Sequence, residues 1–234
     1  MNRIEKLWSL LAIIIFVMSC QPSKTTENNE TEEATTEELP TEEAGPTESS
    51  TVLINPNLAT EEELEASGVN TGLITQIIGQ RPFLSMTDLD ALIGEVMDST
   101  QKAELYGQIF VPFNLNTTLE GDFKLIPGVG NRMAHEFEEY RPYLQIAQFR
   151  KEIGKYVDET EVARLENYVF VPVELNTASK EEILAIPGVG DRMLHEFEEY
   201  RPYASMEQFR KEIGKYVDDK ELSRLERFVY LEEK

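Results

Sequence analysis

In the last sixty residues apolar positions recur at three- and four-residue spacing and are cut by proline and glycine. Ser179-Lys180-Glu181-Glu182 reads as a capping-box start, and Ile183, Leu184 and Ile186 follow it at helical spacing. Pro187 closes this first helix. Gly188 and Gly190 then allow backbone angles that a Cβ disfavours. A second helix is predicted from about Asp191 to Tyr200, with Met193, Leu194, Phe197 and Tyr200 on its buried face and Pro202 as its stop. A third spans about Met206 to Ile213, with Phe209 and Ile213 inward, and Gly214 breaks it. A fourth starts at Asp218 or Asp219 and runs to Phe228, with Leu222, Leu225 and Phe228 inward. Val229-Tyr230-Leu231 is a short extended end. No stretch shows sustained strand alternation, so the predicted fold is all-α.

This pattern has a predecessor. Ile186-Pro187-Gly188-Val189-Gly190 repeats Ile126-Pro127-Gly128-Val129-Gly130, sixty residues upstream, and the run His135 to Tyr143 returns identically as His195 to Tyr203. An eroded third copy lies a further sixty residues back. Ser67-Gly68-Val69-Asn70 stands there in place of Pro-Gly-Val-Gly, and Arg81-Pro82-Phe83 in place of Arg-Pro-Tyr. A fixed register from Asn55 to Lys234 is expected, without an insertion. Such a period means one supersecondary unit used three times. With Pro112 and Pro172 marking the joins, the units are 52–113, 114–173 and 174–234.

The residues before them belong to another class. Arg3 and Lys6 precede an apolar run from Leu7 to Met18. A membrane-spanning helix needs about 20 such residues, so this shorter run suits a signal-peptide core at 1–19. Val17-Met18-Ser19-Cys20 resembles a bacterial lipobox, which implies cleavage before Cys20 and a lipid on its sulfur. An uncleaved N-terminal anchor is the alternative. Gln21 after the cysteine favours the outer membrane by resemblance to lipoprotein sorting in double-membrane bacteria. Residues 20–51 are Thr, Glu, Ser and Pro with almost nothing apolar, including nine glutamates. They cannot bury enough surface to repay ordering their backbone and read as a disordered, extended tether. Cys20 is the sole cysteine, which excludes an intramolecular disulfide and a cysteine metal cluster.

Charge argues about partners. The chain carries a formal net charge of -22, which on average repels nucleic acid and anionic membranes. The distribution is uneven. Residues 54–113 hold nine acids against two bases, Arg81 and Lys102, whereas 114–173 hold ten against seven and 174–234 fifteen against ten. The first unit is therefore the poorest holder of a phosphate.

Two helices joined by Pro-Gly-Val-Gly make a helix-hairpin-helix. Leu175 to Ser179, Glu182, Ile186 to Gly190, Tyr200-Arg201 and Phe209 together resemble the repeat of ComEA-like competence proteins. The likeness covers all three units and is weakest in the first. It implies an all-α fold of three tandem double-hairpin units of about sixty residues. It also implies sequence-independent DNA binding through backbone amides. A glycine turn opening a helix presents unpaired N–H groups, and the helix dipole adds positive charge there. Carried over, the phosphate-binding residues are Gly128, Val129, Gly130, Asn131 and Arg132, then Gly188, Val189, Gly190 and Arg192. No cofactor is expected, apart from a monovalent cation at the hairpins that the family resemblance allows.

The sequence departs from that pattern. The second hairpin of each unit keeps one glycine, Gly94, Gly154 or Gly214. Asp191 puts an anion at the third turn, and Glu136, Glu138, Glu139 and Glu196, Glu198, Glu199 make the following helices acidic. Against this, Arg150, Lys151 and Lys155, and likewise Arg210, Lys211 and Lys215, gather at the eroded second hairpins, where a phosphate strand would pass. The glycines serve equally as a tight turn between close-packed helices, and the basic residues as a solvated face. Affinity for DNA is expected to be about micromolar or weaker at physiological salt.

His135 and His195 precede glutamates at i+3 and i+4, a spacing that is conceivable for metal but not His-Glu-x-x-His, and no metal is assigned. Tyr140, Tyr143, Tyr200 and Tyr203 read as core and cap residues, with base stacking as the alternative. No Ser/His/Asp arrangement or phosphate-transfer loop is present, so a non-enzymatic protein is expected. Its partner is DNA, bound weakly, or an envelope protein met by an acidic scaffold.

Overall fold

The structure, a computed structural model, describes residues 53–232. The signal-like segment, Cys20 and the Thr/Glu-rich stretch lie outside the described residues. Among those described, none of the helices is long and apolar enough to cross a membrane.

The described residues are mostly helical, in short helices. The first stretch contains α1 (Glu61–Ala66), α2 (Thr71–Gln80), α3 (Met86–Gly94) and α4 (Ser99–Tyr106). The middle stretch contains a 3-10 turn (Asp122–Leu125), α5 (Asn131–Glu139), α6 (Ile146–Ile153) and α7 (Glu159–Glu166). The last contains α8 (Lys180–Leu184), α9 (Asp191–Glu199), α10 (Met206–Ile213) and α11 (Asp219–Glu226). None of these exceeds the 10 residues of α2, a length at which an isolated helix is marginal in water. Caps and packing therefore decide where each one forms.

Capping explains most starts. The Ser179–Glu182 capping box forms as expected, with counterparts at Thr60, Ser85 and Asp98. Asn70, Asp158, Ser205 and Asp218 cap α2, α7, α10 and α11 through one side-chain oxygen. The exception is instructive. Leu119 stands sixty residues before Ser179, and Gly121 sixty before Glu181. With no cap and a glycine in the first turn, the middle stretch forms only the 3-10 turn, and Leu119 is left exposed.

Strands appear where none was expected. β1 (Phe113–Asn114) pairs in parallel with β2 (Val169–Phe170), and β3 (Val173–Glu174) with β4 (Val229–Tyr230). A single bridge, Ile54 to Ile109, does the same in the first stretch. The end of each stretch is thus stitched to its own beginning. A two-residue strand carries no alternation for a sequence to display.

The expected unbroken register also needs correction. Asn116 Nδ2 donates to Tyr143 O and Asn176 Nδ2 to Tyr203 O, both across 27 positions, but Asn57 Nδ2 donates to Phe83 O across 26. The first stretch is one residue shorter between its asparagine and its turn. Thr60 to Gly68 holds nine residues where Ser179 to Gly188 holds ten, and the shorter run lacks the proline.

The core is built from aromatic edges. Phe113, Phe123, Phe137 and Phe149 meet successively edge-to-face at 5.6, 5.2 and 5.1 Å. Phe110, from the end of the first stretch, joins this row at Phe113 and Tyr168, so the first two stretches share one apolar cluster. The last stretch has its own, around Phe197, Phe209 and Tyr203. Met193, Tyr200 and Leu222, expected inward, are half-buried at its margin.

Candidate functional site

Each turn is reached by a left-handed glycine: φ is +81° at Gly68, +82° at Gly128 and +81° at Gly188. Only glycine adopts this region without strain. Val129 N then donates to Ile126 O, and Val189 N to Ile186 O, at 3.0 Å each, which closes the turn. Val129 and Val189 face the core. The next glycine, Gly130 or Gly190, is extended and is the N-cap of α5 or α9.

These two N-caps differ from most others in the chain. Among the described residues, eight of the eleven α-helices receive a side-chain cap; α5, α6 and α9 do not. At α5 and α9 the first-turn amides are left without a side-chain acceptor. Asp191, the anion expected to spoil the third turn, sits in the first turn of α9 and makes no cap bond. A Cβ built on Gly130 or Gly190 would meet nothing within 4 Å, so the space at both N-cap positions is open. The first stretch is unlike them, because Asn70 Oδ1 accepts from Leu73 N at 3.0 Å and fills the same place.

Behind each of the second and third turns lies an arginine that the sequence reading missed. Arg164 Nη2 donates to Pro127 O at 2.9 Å while its guanidinium grips Glu161 at 2.7 Å. Arg224 grips Glu221 in the same way, is only 1% exposed, and packs its Nη2 2.8 Å from where a Cβ on Gly188 would lie. Leu58 of the first stretch covers that turn as well, 3.2 Å from the same point. The signal was present as an arginine sixty residues apart in the fourth helix, three places after a glutamate. The first stretch has Glu104 there.

The expected basic clusters are neutralised where they stand. Arg150 meets Glu166 through two nitrogens at 2.5 Å, and Arg210 meets Glu226 at 2.5 Å. Lys155 bonds Glu152, and Lys215 bonds Glu212; Lys151 and Lys211 reach the same carboxylates at 3.6 and 3.7 Å. Hydrogen bonding to Lys155 holds the Glu152 carboxyl below its ordinary value, and Glu152 raises Lys155 in return. The same exchange links Glu212 and Lys215. These are exposed pairs that add little stability, but they cancel charge that a phosphate would need.

Arg132 and Lys155 are nonetheless brought together. Arg132 lies over the Tyr156 ring at 5.7 Å, Lys155 over Tyr140 at 4.7 Å, and the two tyrosine hydroxyls hydrogen-bond at 2.7 Å. The last stretch repeats the hydroxyl pair between Tyr200 and Tyr216 at 2.8 Å, with Lys215 over Tyr200 at 4.9 Å. Among the described residues Arg132 and Arg192 have no carboxylate partner. Beneath the pairs Glu136 and Glu196 turn inward, 9% and 8% exposed, so one of three glutamates on each helix is withdrawn from the surface. Hydrogen bonding to Glu136 and to Tyr140 pushes the Tyr156 hydroxyl well above its ordinary range. Tyr143 and Tyr203 are buried in the core, as expected.

His135 lies near Glu120 at 3.3 Å and Glu139 at 3.8 Å, and His195 near Glu199 at 3.6 Å. Among the described residues no three His, Cys, Asp or Glu side chains converge as metal ligands would. No protein-family model, curated protein or solved structure matches this chain.

Proposed function

We propose that the chain is a non-enzymatic helix-hairpin-helix repeat protein of ComEA-like type, tethered to the bacterial envelope through a lipid on Cys20. In this reading it binds DNA weakly and without sequence preference at Gly128–Arg132 and Gly188–Arg192. The observation that carries it is the pair of open, uncapped glycine N-caps at α5 and α9, in a chain that caps most of its other helices with a side chain. Bare amides at a helix start are an anion site, and Arg132 and Arg192 add charge beside them. The paired lysines and arginines at the second hairpins are secondary contributors at most. Contact with the backbone alone carries no base information. Retardation of both single- and double-stranded DNA by the purified chain is expected at about 50 mM salt and is lost by about 200 mM. Absence of any shift at low salt removes this reading.

A second reading is an acidic scaffold that meets an envelope protein. Its specific support is the pairing of Arg150, Lys155, Arg210 and Lys215 with carboxylates. Exposed Leu84, Leu119 and Leu144 around the joins between stretches add to it.

A further inference from the structure

Two grooves of similar size, about 680 and 640 Å³, lie at the joins. They are built from equivalent positions. Leu84, Asn114, Asp122 and Phe170 line the first; Leu144, Glu174, Glu182 and Tyr230, each sixty residues later, line the second. A feature built twice from the same positions follows from the architecture and not from one local packing fault. Both have an apolar floor and they adjoin: Leu144, at 68% exposure, Phe170, Pro172 and Tyr230 line both, whereas Leu84, at 46%, lines only the first and Glu174 and Glu182 only the second.

Their charge differs. The first groove holds Asp122, Glu226 and Arg227, and Arg227 is drawn inward to stack on Phe170 and Phe228 and to donate to Pro112 O at 2.9 Å. The second holds Glu166, Glu174, Glu182 and Glu232 against Arg150 alone. Arg150 is spent on Glu166 at 2.5 Å. Glu174 accepts from the Asn176 and Thr177 amides and the Thr177 hydroxyl, and Glu182 from the Ser179 amide. These donors are neutral, so both charges remain uncompensated, and among the described residues neither carboxylate has a lysine or arginine partner. The nearby Lys180 is engaged with Glu198 at 3.4 Å.

We propose that the second groove is a docking site for a partner polypeptide whose apolar side chains alternate with lysine or arginine. The half-buried floor of Phe170, Val173 and Tyr230 takes the apolar groups. The Glu174 and Glu182 carboxylates at the lip take the cations. An apolar floor supplies affinity, and the uncompensated acids reject acidic and nucleic-acid competitors. The groove borders the third turn at Ile186 and Pro187 and includes Arg150. The residues that take the peptide, Phe170, Val173, Glu174, Glu182 and Tyr230, are not phosphate-binding residues, so the site stands or falls independently of DNA binding.

The test is fluorescence anisotropy of labelled short peptides with the purified full chain at about 150 mM salt, where charges more than about 8 Å apart are largely screened. A peptide alternating leucine and lysine is compared with leucine–glutamate and serine–lysine counterparts. The leucine–lysine peptide is expected to bind at least about ten-fold more tightly than either. Glu174→Gln and Glu182→Gln, at residues that line only the second groove, are each expected to weaken it about three- to ten-fold. Glutamine keeps the capping box at 182 and, at 174, an oxygen that accepts from the Asn176 and Thr177 amides, so both variants retain the fold. Leu84→Ser, in the equivalent groove, is expected to leave binding unchanged. Equal binding of the leucine–lysine and serine–lysine peptides would show general charge attraction and overturn the site. So would a loss at Leu84→Ser equal to that at Glu182→Gln, or no binding of the leucine–lysine peptide.

Discussion

Arg164 reaches back 37 positions to donate from Nη2 to the carbonyl of Pro127 at 2.9 Å. That carbonyl belongs to the turn whose next residue, Gly128, is left-handed. The arginine therefore fixes the turn from behind while its outer face stays open. Arg224 packs its Nη2 against Gly188 of the third turn, is 1% exposed and leaves Nη1 without a partner. Truncating Arg164 to alanine removes charged hydrogen bonds worth about 1–2 kcal/mol. Arg224→Ala costs more, about 3 kcal/mol, because it opens a space in the interior, whereas Arg164 is partly exposed. Urea denaturation of the two variants ranks them, and equal losses would deny that burial separates the two arginines.

The turn glycines make a graded set. Gly128→Ala forces a Cβ into a left-handed position and costs about 1 kcal/mol. Gly188→Ala adds a clash with Arg224 Nη2 at 2.8 Å and Leu58 at 3.2 Å, so about 2–3 kcal/mol is expected. Thermal unfolding of both variants checks the order. A smaller loss at Gly188 would mean that Leu58 and Arg224 yield easily.

What the sequence could show depended on range. Met206–Ile213 and the Ser179–Glu182 box were legible to the residue because a cap and its apolar period lie within one or two turns. The left-handed glycines were legible because their residue type is the constraint. The parallel pairing of Phe113 with Val169 was not, since its partners lie 56 positions apart in two-residue strands. The Arg164–Pro127 bond was hidden for the same reason. Arg150 read as a cation for phosphate because Glu166, 16 positions on, gave no local sign of being its partner.

That pairing gives a gain-of-function test. Glu166→Gln removes the carboxylate that occupies Arg150, and Glu152→Gln frees Lys151 and Lys155. The double variant adds about two units of net positive charge beside Arg132. If a phosphate strand passes from the turn to this cluster, low-salt DNA affinity rises about ten-fold and the salt dependence steepens by about two. An unchanged slope in a filter-binding titration would mean that DNA does not run there.

His135 supplies a pH-dependent contact. Its Nδ1 lies 3.3 Å from Glu120, and that hydrogen bond, chiefly, raises its pKa above the ordinary 6.5. The folded chain then holds the proton more tightly than the unfolded one. The contribution is fully present below about pH 6.5 and is lost as pH rises through the folded pKa. Glu120→Gln lowers the His135 titration midpoint followed by NMR and removes the acid-side gain in stability. An unmoved midpoint would assign the shift to Glu139 instead.

The sharpest test of the bare amides borrows a device the chain already has. Asn70 caps α2 from the position that Gly130 and Gly190 occupy in α5 and α9. Gly130 is extended, and a side chain there meets nothing within 4 Å, so asparagine fits without strain. Gly130→Asn and Gly190→Asn should each raise stability or leave it level, because asparagine is a slightly better N-cap than glycine, by a few tenths of a kcal/mol. If those amides receive phosphate, the same side chain competes for them, and the double variant loses DNA binding while folding at least as well as before. Serine in place of asparagine should repeat the result with a smaller side chain. A better-capped protein that shifts DNA as the parent does would place the contact elsewhere and leave the two glycines as turn formers only.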